Sequence, residues 1–132
     1  MLFRSLSQPT PSNRLSDGTL KFLCLLAVLL NPQPPPLICI EEPELGLHPD
    51  ALSLVAEALA EASERTQLIV TTHSPALVDA FSGRPEAVVV CERVSHGASE
   101  LRRLSRKQLD IWLERYSLGE LWRKGEIGGN RW

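Results

Sequence analysis

An excess of charge is the first thing this sequence lacks: 14 Lys and Arg stand against 16 Asp and Glu in 132 residues, a formal net charge of −2. There is therefore no global basic field of the kind that gathers nucleic acid, and any such contact has to be local or made by another part. Paired cysteine motifs are missing too. Cys24, Cys39 and Cys91 are odd in number, and each stands inside an apolar run. That pattern reads as buried free thiols in a reducing compartment. No charged segment followed by a long apolar one opens the sequence, so no secretory signal is expected. The most apolar run, Leu20 to Leu30, falls short of the roughly 20 residues that span a bilayer. It reads as a buried helix in a cytoplasmic protein with no membrane contact. Internal repeats are absent, and the prolines form the only biased tract.

What remains is 43% hydrophobic, enough for the core of one domain. Residues 1–13, with two prolines, read as an irregular lead-in, and 14–132 as the folded part. A helix is expected from Ser16 or Asp17, either of which can cap free N–H groups, to about Leu30, closed by Asn31-Pro32. Its stripe Leu23, Leu26, Leu30 is expected in the core. After a stiff proline connector, "LICI" is short and continuously apolar, as in a central parallel strand covered on both faces. Apolar Leu52, Val55, Ala56 and Leu59 make an amphipathic helix. "QLIVTTH" is a second buried strand, "SPALVDAF" a short helix capped by Ser74, "EAVVVCERV" a third strand, and "SELRRL" an edge strand after a turn at His96-Gly97. The tail reads as one or two helices and a glycine-rich covering loop, with Trp112, Tyr116 and Trp122 as packing. Strands alternating with helices predict an α/β fold with a mostly parallel sheet.

In open α/β sheets chemistry gathers beyond the carboxyl ends of the strands. Glu41 and Glu42 follow LICI directly, and His73 follows QLIV. Two adjacent carboxylates at a strand end point in different directions. One can hold a hydrated Mg²⁺ through oxygen while its neighbour orients a water for attack on phosphorus. Taken alone, "EEPE" reads equally well as an exposed acidic turn, His73 as a strand-end cap, and Ser16 as no more than an N-cap. His48 reads as a turn residue, Glu44 as structural, and the basic cluster Arg102, Arg103, Arg106, Lys107 as a solvated face.

Four stretches, "LSDGT" (Leu15 to Thr19), "LICIEEPE" (Leu37 to Glu44), "LHP" (Leu47 to Pro49) and "IVTTHSP" (Ile69 to Pro75), resemble in order and spacing the signature, Walker B, D-loop and switch-histidine motifs of ABC-type ATPases. The resemblance points to the soluble RecF-, SMC- and OLD-like branch of AAA-type ATP-binding proteins. It implies the C-terminal part of a P-loop NTPase fold with ATP and Mg²⁺ as cofactors. Glu41 would be the metal-binding acid, where most relatives carry aspartate, and Glu42 the residue that positions the attacking water. His73 would sense the γ-phosphate, and Ser16 and Gly18 would grip the γ-phosphate of a nucleotide held by the opposite subunit. A helix N-terminus suits such an anion.

GxxxxGK[ST], the phosphate cradle and its lysine, does not occur in the sequence. The chain is therefore expected to be inactive alone and to need an N-terminal Walker A half or a second ATPase subunit, with homo-oligomers forming in the full-length protein. Loss of the neighbouring strand would leave apolar sheet uncovered, so marginal stability or self-association is expected. DNA or a nuclease could be engaged through regions not in this sequence. Two other readings stay open. One is a non-catalytic interaction module with relic motifs; the other is a metal-dependent hydrolase using Glu41, Glu42, His48 and His73.

Overall fold

In the computed structural model, residues 14–93 and 97–129 are described. The lead-in expected over 1–13 and the His96 half of the expected turn lie outside them. The chain divides into two compact units, one ending at Val70 and the other starting at Thr71. Among the described residues no helix is long and apolar enough to cross a membrane.

The first unit opens with helix α1, Asp17–Leu29. Ser16 caps it by accepting a hydrogen bond from the Thr19 N–H at 3.2 Å, as the sequence implies. The core stripe differs from the expected one. Leu29 is buried and Phe22, Leu25 and Leu26 are half-buried, whereas Leu23 and Leu30 are exposed. In so uniformly apolar a helix, periodicity leaves the phase undetermined, and the packing partner chooses it. That partner is α2, Ala51–Ala62. It buries Val55, Ala56, Ala58, Leu59 and Ala62; the alanines let the helices approach closely. Arg65, just beyond α2, donates to the Leu29 carbonyl at 2.9 Å and pairs with Glu61 at 3.0 Å, tying the two helix ends together.

Strand β1, Leu37–Glu41, pairs with β2, Gln67–Thr71. Their entry is pinned by Thr66 Oγ1 donating to the Pro35 carbonyl and by the Gln67 N–H donating to the Pro36 carbonyl at 3.2 Å. Neither strand is covered on both faces, contrary to expectation. Ile38 is buried, but Leu37, Cys39 and Ile69 are exposed. A continuous apolar run reports that both faces are suited to burial, not that both find cover. The same reason corrects the cysteines: Cys24, Cys39 and Cys91 are all free and all exposed.

The second unit holds α3, Pro75–Asp79, capped by Ser74. Next comes a one-turn 3₁₀ helix, Pro85–Ala87. Strands β3, Val89–Arg93, and β4, Ser99–Arg103, form an antiparallel hairpin in which Cys91 faces Leu101. Helices α4, Arg106–Leu113, and α5, Leu118–Arg123, follow. Its core is Val78, Val90, Leu104, Leu118, Leu121 and Ile127. The α5 start is closed by a capping box between Ser117 and Glu120, which satisfies two orphan donors reciprocally. Asp79 reaches back from α3 to accept the Gly119 N–H at 2.6 Å. The glycine-rich tail does cover something. Ile127 is buried, its carbonyl accepts from Arg102 at 2.8 Å, and the Gly129 N–H donates to Glu92 at 3.0 Å. Tyr116 lies between Trp112, at a ring-centroid distance of 6.3 Å, and the Lys124 ammonium, 3.7 Å from its ring centroid.

Candidate functional site

The site is built where β1 ends. Glu41 is its last residue, with an exposed side chain. The next residue, Glu42, is half-buried and has φ of 42°, the one non-glycine residue with positive φ among those described. The left-handed region costs an L-residue about 1–2 kcal/mol, so the chain holds Glu42 against its own preference. The turn that follows is ordered by hydrogen bonds from the Leu45 N–H to the Glu42 carbonyl, 3.2 Å, and from the Leu47 N–H to the Glu44 carbonyl, 3.1 Å. Pro43 is buried and Gly46 has φ of 74°, so the two residues that steer the turn are those built for it.

The N-terminal half of α1 lies against this turn. A methyl group on Gly18 would run into the Gly46 carbonyl oxygen, so only glycine permits the approach. One helical step on, the Lys21 ammonium donates to the Glu42 carbonyl at 3.3 Å and to the Leu45 carbonyl at 2.8 Å. Ser16 is exposed at the helix start, its Oγ 2.8 Å from Thr19 Oγ1. A hydroxyl has one proton and two lone pairs, so capping α1 leaves it capacity for a further partner.

Ser16, Gly18, Glu41 and Glu42 thus belong to the first unit, with Gly18 placed directly against the turn that Glu42 opens. His73 belongs to the second unit. It is exposed between β2 and α3, and the neighbouring Ser74 N–H donates to Thr72 Oγ1 at 3.0 Å. His48 is exposed, and its Nδ1 accepts the Asp50 N–H at 3.3 Å. The same nitrogen lies 3.6 Å from an Asp50 carboxylate oxygen, so both of these contacts are to Asp50 at the helix entry. This is a helix-entry role, as the sequence suggests.

Glu41 offers one accessible carboxylate, which suits Mg²⁺ because that ion keeps most of its water and takes one or two carboxylates. Among the described residues no group of three or more His, Cys, Asp and Glu converges to cage a metal.

The family model described as "AAA domain, putative AbiEii toxin, Type IV TA system" matches residues 1–79. The chain belongs to this AAA-domain family. The matched part of the AAA domain runs from α1 through α3 and contains all five candidate residues. The Old nuclease of Escherichia phage P2 is 40% identical over 77 residues, which are 58% of this chain and 13% of the nuclease. The chain therefore spans a small part of that relative. A solved structure from work on the ATP-driven dimerization and DNA-stimulated activation of SMC ATPases superposes with a TM-score of 0.57 at 19% identity, covering 77% of this chain and 62% of that one. The AAA domain accordingly has the α/β fold of the P-loop NTPases.

One residue of the site escaped the motif reading. Lys21 is the one charged residue in the run Leu20 to Leu30. That isolation, three positions after Gly18 and so on the same helix face, was the available signal.

Proposed function

We propose that the chain supplies the hydrolytic and partner-sensing side of an ATP-dependent, dimerising ATPase head. In this reading Glu41 would hold a hydrated Mg²⁺, which would supply charge neutralisation on the phosphates. Glu42 orients the attacking water and accepts its proton. Ser16 and Gly18 present the N-terminus of α1 to the γ-phosphate of a nucleotide bound by the opposite subunit, and His73 contacts the γ-phosphate on the hydrolytic side. The phosphate cradle comes from a Walker A-bearing segment or subunit, so the chain alone neither seats ATP tightly nor hydrolyses it. A role in DNA maintenance or phage defence, with DNA or a nuclease as downstream partner, is part of this reading, and the likeness to the phage P2 Old nuclease and to an SMC ATPase supports it.

The observation that carries the reading is the strained Glu42 at the end of β1, with the N-terminal half of α1 held against the turn it opens. Strain persists where the surroundings over-determine it, which is common at functional sites. The test has two arms. Calorimetric titration of Mg-ATP into the chain should show no micromolar binding. Addition of a Walker A-bearing partner subunit should then produce hydrolysis that Glu42→Gln abolishes and Ser16→Arg abolishes when placed opposite the nucleotide. Hydrolysis indifferent to Glu42→Gln would overturn the proposal in favour of a non-catalytic interaction module.

A further inference from the structure

We infer that Lys21 is a positioning residue that couples the N-terminus of α1 to the backbone of Glu42, so that engagement of an anion at Ser16 and Gly18 sets the geometry of the water-orienting carboxylate. The inference rests on the function proposed above and adds to it a means by which one subunit's nucleotide regulates hydrolysis in the other.

Lys21 sits one turn into α1, half-buried, and spends two of its three donors on the carbonyls of Glu42 and Leu45. These carbonyls begin and end the first reverse of the turn, whose own closing bond runs from the Leu45 N–H to the Glu42 carbonyl at 3.2 Å. Charge-assisted bonds to carbonyls are stronger than neutral ones. They hold the carbonyl of Glu42 and the far end of its turn in one orientation relative to α1. On the same helix face, Gly18 touches the Gly46 carbonyl with no side chain between them. Two points of α1, three residues apart, therefore bracket the turn from Glu42 to Gly46. A rigid helix fastened at both points cannot shift at its N-terminus without moving the turn. An anion drawn to the Ser16 end pulls on a lever whose other fastening is Lys21.

The test uses Lys21→Met, which keeps the aliphatic stem and removes the charge, and Lys21→Arg, which restores the donors. Amide hydrogen exchange is read at Leu45 and Leu47, the two donors inside the turn, against Val55 and Leu59 in α2 as internal controls. In Lys21→Met the turn amides should exchange about tenfold faster while the α2 amides stay unchanged, and Lys21→Arg should return them towards the original rate. With a Walker A-bearing partner, Lys21→Met should lower kcat about tenfold or more at unchanged KM for Mg-ATP, again with rescue by arginine. Unchanged turn exchange in Lys21→Met overturns the inference, whatever the ATPase result. Faster exchange together with unaltered kcat overturns the coupling. A complex that never hydrolyses ATP, even with Lys21 intact, overturns the proposed function instead, while the exchange result still decides the strut.

Discussion

Replacing Glu42 tests whether the chain carries strain at its site. At φ of 42° an L-residue is disfavoured by about 1–2 kcal/mol, whereas glycine enters the region freely. Glu42→Gly removes that strain and also raises the entropy of the unfolded chain, a cost of about 0.5–1 kcal/mol. It also loses whatever the half-buried carboxylate contributes. Glu42→Ala removes the same carboxylate but keeps the strain. The difference between the two variants isolates the backbone: Glu42→Gly should be the more stable by about 1 kcal/mol, roughly 3–5 °C in Tm for a chain of this size. Urea unfolding followed by the protection of α1 and α2 amides is the suitable assay, since it reads the first unit alone. Glycine and alanine variants of equal stability would refute the idea that the site is held in a conformation it does not prefer. A glycine variant more stable than the parent would show that stability has been yielded for function there.

Gly18→Ala should cost about 1–3 kcal/mol, because the added methyl meets a backbone carbonyl that cannot rotate away; chemical denaturation checks it, and a neutral result would mean that α1 is not seated on the turn. All three cysteines should react with a thiol reagent under native conditions, since all are exposed, and a slow fraction released only by denaturant would contradict the structure. Glu86 should titrate below an ordinary glutamate. Its carboxylate accepts the Arg106 backbone N–H at 2.9 Å, its own backbone N–H assists, and the Arg106 charge adds to both. With the folded pKa depressed, its contribution to stability is present above the unfolded value and is lost as pH falls through the folded one. Side-chain NMR titration reads this directly, and Glu86→Gln should remove that part of the acid sensitivity.

The sequence was most legible where local chemistry decides. Ser16 and Ser74 cap the helices they were expected to cap, because a hydroxyl next to free N–H groups needs no tertiary information. The buried face of α2 was equally plain, since its polar residues mark the opposite side. Illegible were the features set by what lies against an element. The phase of α1 and the exposure of Cys39 depend on which neighbour arrives to cover an apolar surface, and composition does not name the neighbour. At the site, the motif spacing led to Glu41, Glu42, Ser16 and Gly18, but not to Lys21. Its role depends on a turn more than twenty residues away folding back onto α1.

The core of the second unit has a consequence for where this molecule can be cut. The family match stops at residue 79, the last residue of α3. Val78 nevertheless packs with Val90, Leu104, Leu118, Leu121 and Ile127, all beyond that limit, and Asp79 closes the start of α5. The recognised segment therefore ends inside a compact unit rather than at its edge. A protein trimmed to the recognised segment would keep every candidate residue in its sequence yet strand α3 without its core, and with it the ground on which His73 stands.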